Sequence, residues 1–279
     1  MDNGKEHMLD MLMNEVKDCD LCCREGREIR PKKLLKNFIA ERPIGPRYGG
    51  MPNLWTDWGR RLESKIVFVG QDWGPEIEIS RHRKKYEEHV RNCGNPEEIW
   101  RQMRTPFDKD RSTPKMVHYL KESARREGLP RLPRNFLDEI FLTNAVLCAR
   151  QGDANSGPET IDAQRSTRNC RSFLHRQLSI VKPLIAVTLG QWPLWSLLES
   201  NESLASRINS VHASPCGFLR ISHDNVSLAI VPVFHPAARP KDRSPEQQIE
   251  DYRYIWRALS NSLNCHGEEL INICFPSFK

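Results

Sequence analysis

The sequence has no apolar run that approaches the roughly 20 residues needed to cross a membrane as a helix. Residues 1–10 carry charges where a signal peptide would have its apolar region. We therefore expect a cytoplasmic protein without a membrane partner.

Net charge is also low, since 42 Lys and Arg against 36 Asp and Glu give +6. Such an excess favours a polyanionic partner without requiring one.

The nine cysteines are an odd number, so disulfides could not use all of them. In a cytosolic chain they suggest metal or cluster ligands together with buried free thiols. Cys19 and Cys22 form a C-x-x-C pair, with Cys23 beside it. This spacing alone fits zinc sites, iron–sulfur clusters and redox pairs equally well, so it needs distant partners before it can be assigned.

The stretch from Lys65 to Pro75 organises the rest of the chain. Its β-branched and aromatic run, Ile66 to Val69, is too short for a helix and does not alternate, which is typical of a strand buried on both faces. Gly70 and Gly74 would then let the backbone approach a ligand, with Asp72 between them. The alternative is a strand followed by a simple Asp turn.

Three further buried strands are predicted, and helices separate them. The strands lie at 136–143, 183–190 and 228–234, and the helices at 5–18, 112–127, 160–181, after Gly190 and at 247–263. This alternation indicates one three-layer α/β/α domain over residues 1–279, with a four-stranded, mainly parallel sheet. Residues 1–50 would add a helix, the first cysteines and a basic segment, and residues 76–111 an insertion.

Three polar residues, Asp72, Asn144 and His235, each follow a predicted strand. Because the carboxyl ends of parallel strands share one edge of a sheet, one cleft could hold all three side chains. The alternatives are turn-forming roles for the Asp and Asn and a structural role for the His.

Positive charge is densest at residues 24–47, where eight Lys or Arg stand against three Glu. Arg30, Lys32 and Lys33 are candidates there for contacts with phosphates. The alternative is a solvated charged face.

Four short motifs occur in order along the chain, three of them at predicted strand ends. They are Gly70-Gln-Asp-Trp-Gly74, Thr105-Pro-Phe107, Leu142-Thr-Asn-Ala-Val-Leu-Cys148 and Phe234-His-Pro236. Together they resemble the uracil-DNA glycosylase superfamily, most closely its iron–sulfur branch of family-four and family-five type enzymes. The resemblance runs from Cys19 to about Leu259.

This resemblance implies a structural [4Fe–4S] cluster held by Cys19, Cys22, Cys148 and Cys170, and soft thiolates suit such a cluster. Cys23 is the rival of Cys22, and the alternatives to a cluster are a zinc site or buried free thiols. The cluster would hold the N-terminal segment against the loop after the middle motif and present the basic residues to DNA.

The resemblance also implies roles within the first motif. Asp72 would orient or activate water and stabilise the positive sugar, as in family-one enzymes, whereas family four has a small residue there. Gln71 matches family one as well. Because the chain as a whole most resembles the iron–sulfur branch, the motif that begins at Gly70 combines features of two families. Trp73 replaces the proline common to both and could reshape the pocket or limit the base it accepts.

In the other motifs, Phe107 matches the aromatic that stacks on a flipped base, with an ordinary core residue as the alternative. Asn144 matches the amide that reads the pyrimidine edge, because an amide donates and accepts at once. His235 matches the donor to the departing base, where negative charge develops. Arg239 would fill the gap left by the base or hold a phosphate.

The implied function is a monomeric DNA glycosylase of base excision repair, associated with the nucleoid if bacterial. It would hydrolyse the N-glycosidic bond of a flipped uracil or related pyrimidine and leave an abasic site, without a nucleotide cofactor. Three alternatives remain. The first is a glycosylase for a bulky modified pyrimidine in foreign DNA, the second an inactive cluster- or zinc-bearing nucleic-acid-binding protein, and the third an unrelated α/β hydrolase of small nucleosides.

Overall fold

A computed structural model describes residues 3–19, 21, 60–71, 112–134, 136–147, 160–200, 202–223, 226–239 and 241–276. Several predicted site residues lie outside these ranges: Asp72, Trp73, Phe107, Arg30, Lys32, Lys33, Cys22, Cys23 and Cys148, as does the insertion at 76–111. Within the ranges, none of the helices combines the length and the apolar character that a membrane span requires.

The described strands form one five-stranded sheet. They are β1 (Ile66–Gly70), β2 (Phe141–Asn144), β3 (Ile185–Leu189), β4 (Leu219–His223) and β5 (Val226–Val233), in the order β2-β1-β3-β5-β4. All pairings are parallel except the one between β4 and β5. The mainly parallel sheet is confirmed, but the predicted number of four strands is wrong. β4 escapes prediction because its alternating sequence lacks the continuous apolar run of a buried strand.

Helices cover both faces of this sheet. They are α1 (Asn3–Asp18), α2 (Ser112–Arg126), α3 (Thr160–Val181), α4 (Gln191–Leu198), α5 (Leu204–Ala213), α6 (Pro245–Leu263) and α7 (Gly267–Cys274). Short 3₁₀ helices occupy Arg60–Glu63 and Phe136–Glu139. The second 3₁₀ helix lies where the sequence predicts the beginning of a strand at residue 136, so that prediction is wrong for residues 136–140. Two acidic residues interrupt the apolar run there, and β2 begins only at Phe141.

Alternate residues of the strands pack into two hydrophobic cores, one on each face of the sheet. Ile66 and Phe68 of β1 pack with α2, α6 and α7, whereas Val67 and Val69 pack with α1, α3, α4 and α5. The three-layer α/β/α architecture is therefore confirmed for the described residues. Burial on both faces also explains why β1 has an unalternated apolar sequence.

Candidate active site at the carboxyl edge of the sheet

Four parallel strands, β2, β1, β3 and β5, end side by side along one edge of the sheet. In that order the edge carries Asn144, Gly70, Gly190 and His235. At about 4.8 Å per strand, the strands that lead to Asn144 and His235 are about 14 Å apart. The structure thus brings these two side chains to one edge, with two glycines between their strands.

The position of Asn144 is set by pairing that continues past the strand ends. Asn144 is the partner of Gly70 in the parallel ladder. Beyond it, the Ala145 N–H donates to the Gly70 carbonyl oxygen, and the Val146 N–H donates to that of Gln71, both at 2.8 Å. Asn144 is therefore fixed beside a residue that has no side chain.

The side chain of Asn144 is buried and, within the described ranges, makes no hydrogen bond. The residue is 1% exposed, yet in the described part of the chain neither Nδ2 nor Oδ1 has a partner. An unpaired buried polar group costs about 1–3 kcal/mol and is rare in native proteins. A turn-forming Asn would bond to nearby backbone, and among the described residues the Asn144 side chain makes no such bond. Its donor and acceptor are suited to a ligand edge that offers the reverse pair.

His235 lies in the loop after β5, and its side chain is exposed. Its Nδ1 accepts a hydrogen bond from the Ala237 N–H at 3.2 Å, and its carbonyl oxygen accepts one from the Ala238 N–H at 2.7 Å. A ring nitrogen that accepts cannot carry the proton, so the neutral ring has its proton on Nε2. The ring is therefore a hydrogen-bond donor through Nε2.

Gly190 connects β3 to α4 at the centre of the edge. Its φ is +107°, and its N–H donates to the Val233 carbonyl oxygen at 2.9 Å. Among the described residues, no atom lies within 4 Å of the position that a Cβ would take. This conformation favours glycine, and the missing side chain keeps the centre of the edge open.

Arg239 belongs to the same loop as His235 and is exposed. Its Nε donates to Asp242 Oδ2 at 3.1 Å. Exposed ion pairs of this kind contribute about 0–1 kcal/mol, so the guanidinium can exchange this carboxylate for a phosphate at little cost.

Helix α1 packs antiparallel on α3. Near the start of α1, Lys5 Nζ donates to the carbonyl oxygen of Val181, the last residue of α3, at 3.5 Å. Near its end, Glu15 pairs with Arg176 at 2.6 Å. The C-terminal end of α1 therefore lies toward the N-terminal half of α3.

This packing concerns two of the predicted cluster ligands. Cys19 directly follows α1 and is partly exposed, and Cys170 is buried within α3. In the described ranges, which lack Cys22 and Cys148, no three His, Cys, Asp or Glu side chains converge as a metal site. Cys19 therefore follows the helix that packs against the helix carrying Cys170.

An ion pair that the sequence analysis missed lies behind the His235 loop. Arg243, near the end of that loop, binds the fully buried Asp251 of α6. The available signal was the position of Asp251 within the apolar stripe of α6, between Ile249 and Ile255. A carboxylate at such a position needs a buried partner.

The family model of the Uracil DNA glycosylase superfamily matches residues 56–260. No curated protein matches the chain. The matched range includes the whole five-stranded sheet and its carboxyl edge, and it begins after α1 and Cys19.

Proposed function

This chain belongs to the uracil-DNA glycosylase superfamily, and from this premise we propose that it is a monofunctional DNA glycosylase of base excision repair. It would hydrolyse the N-glycosidic bond of a flipped uracil, or of a related modified pyrimidine, and leave an abasic site. Superfamily members are in general glycosylases that act on DNA. The amide of Asn144, which is buried and has no hydrogen-bond partner among the described residues, carries the proposal, because a flipped pyrimidine offers a matching acceptor and donor.

Each proposed role comes from the resemblance to the family's motifs and agrees with the chemistry of the side chain. Asn144 reads the edge of the base, and Phe107 stacks on its face. His235 donates from Nε2 to the base carbonyl, where negative charge develops as the glycosidic bond breaks. Asp72 orients the attacking water and stabilises the positive sugar.

The proposal is tested with duplex and single-stranded oligonucleotides that each carry one altered base, followed by alkaline cleavage of abasic sites. We expect cleavage at uracil. Excision of bulky modified pyrimidines alone would favour the alternative of a glycosylase that acts on foreign DNA, in which Trp73 shapes the pocket. Binding without excision of any base would indicate an inactive nucleic-acid-binding protein and refute the proposal.

Replacement of Asn144 by alanine should weaken base selectivity as well as rate. Discrimination between uracil and other pyrimidines should fall by about 10- to 100-fold, because a bidentate pair contributes about 1–3 kcal/mol of discrimination. The melting temperature should change little, since the amide makes no hydrogen bond with the described residues. The matched control is Asn261→Ala on α6, whose side chain bonds to Cys216 O. Unchanged selectivity in Asn144→Ala would exclude its role in reading the base.

We also propose a structural [4Fe–4S] cluster on Cys19, Cys22, Cys148 and Cys170. Protein purified without oxygen should be brown and contain about four iron and four sulfide per chain. Cys170→Ala should lose colour and iron and become less stable, whereas Cys216→Ala, at an exposed cysteine before β4, should keep both. A colourless or zinc-loaded protein with full activity would contradict the cluster.

Residues 24–47 are proposed to contact DNA phosphates. Neutralising Arg30, Lys32 and Lys33 together should weaken binding to all sequences. It should also reduce the steepness of the negative slope of log affinity against log salt, by roughly one unit for each phosphate that is no longer neutralised. An unchanged slope would indicate a solvated face. The control is an equal reduction of charge at three exposed cations of α2: Lys115, Lys121 and Arg125.

A further inference from the structure

The loop that carries His235 is tied to the core by one buried ion pair. Arg243 Nε donates to Asp251 Oδ2 at 2.9 Å, and Arg243 Nη2 donates to Oδ1 at 2.5 Å. The Asp251 side chain is 0% exposed. Burial raises the pKa of Asp251, and the bonds from Arg243 oppose that rise. Apolar residues of similar volume often stabilise such a position as well as an ion pair does, so the pair is weak evidence of a purely stabilising role.

The same guanidinium also contacts the start of the loop. Arg243 Cζ lies 5.7 Å from the ring centroid of Phe234, the residue before His235. The Arg243 carbonyl oxygen accepts a hydrogen bond from Gln248 Nε2 at 3.3 Å. Arg243 thus joins both ends of the loop to α6.

Between these anchors, the loop is closed by its own backbone. The N–H groups of Asp242 and Arg243 donate to the Arg239 carbonyl oxygen at 2.8 and 3.2 Å. The turn that starts at His235 includes the bond from the Ala237 N–H to its Nδ1. Movement of the loop ends would therefore disturb a bond that favours the Nε2-protonated tautomer of His235.

We propose that the Arg243–Asp251 pair is a positioning device for His235, which it keeps in the Nε2-protonated tautomer with the ring at the sheet edge. This inference rests on the proposed function for its catalytic meaning, although the tautomer can be measured without substrate. Arg243 and Asp251 act through His235 and do not touch the base.

The most informative variant is Arg243→Lys. Lysine keeps the positive charge that Asp251 requires, but it has neither the two-pronged donor fork nor a planar group to stack on Phe234. Stability should therefore fall less than in Asp251→Ala, while positioning is lost. Arg253→Lys is the matched control. Arg253 lies on α6, as Asp251 does, and it binds Glu127 away from the loop.

The first measurement is the nitrogen NMR spectrum of the histidine rings. The parent and Arg253→Lys should give His235 signals of a single Nε2–H tautomer, whereas Arg243→Lys should give a mixture of tautomers in a folded protein. A single unchanged tautomer in folded Arg243→Lys would overturn the inference. If the parent protein excises no base at all, the proposed function fails, and the NMR measurement alone then decides the inference.

The second measurement is a double-mutant cycle on single-turnover base excision. Arg243→Lys should slow the parent by about tenfold, the rate equivalent of a typical coupling energy between contacting residues. In the His235→Ala background it should cause no further slowing, because the residue it positions is gone. Equal slowing in both backgrounds would show that Arg243 acts independently of His235 and would overturn the inference.

Discussion

His235→Ala is expected to slow base excision about 10²- to 10³-fold, the range measured for loss of one donor to a developing anion. Affinity for uracil-containing DNA should change little, because the Nε2–H donor matters mainly once negative charge appears on the departing base. The measurement is single-turnover excision with DNA binding determined in parallel.

The control for this variant is His118→Ala, which removes an exposed histidine from α2. It should retain the parental rate. Full activity of His235→Ala would contradict the role of His235. A loss of DNA affinity as large as the loss of rate would show that the ring binds DNA in the ground state instead.

Asp72→Asn should slow excision by about 10²- to 10⁴-fold, the usual contribution of a positioned general base. Asparagine keeps the size of the side chain and removes the negative charge, so the variant should bind abasic and uracil-containing DNA nearly as well as the parent. If Asp72→Asn excises at full rate, binding and His235 carry the chemistry, as in a family-four pattern. The water-activating role of Asp72 would then be wrong.

The parallel strands could be predicted because burial on both faces leaves a local signature. β1 ends at Gly70 and β3 ends just before Gly190, and both lie where the sequence predicts them. β4 and the helix before it, α5, could not be found from burial on both faces. β4 is an antiparallel strand at the sheet edge, and its first four residues alternate between apolar and polar, as a half-buried strand does, without a continuous apolar run.

The candidate site was predictable only in outline. Asn144 and His235 follow strands, and parallel strands bring their ends to one edge. Whether the Asn144 amide finds a partner depends on which distant side chains come near it, and no local sequence pattern reports that none of the described residues does so. The Arg243–Asp251 pair likewise depends on how the loop after β5 folds back on α6.

The central claim is that this chain hydrolyses an N-glycosidic bond in DNA at the carboxyl edge of its sheet. The most direct measurement is incubation with a uracil-containing duplex, with mass spectrometry of both products before any alkali. We predict free uracil and an unbroken strand with one abasic sugar, and we predict that both appear about 10²- to 10³-fold more slowly in His235→Ala. Cleavage of the strand without alkali, or no release of base, would contradict the claim.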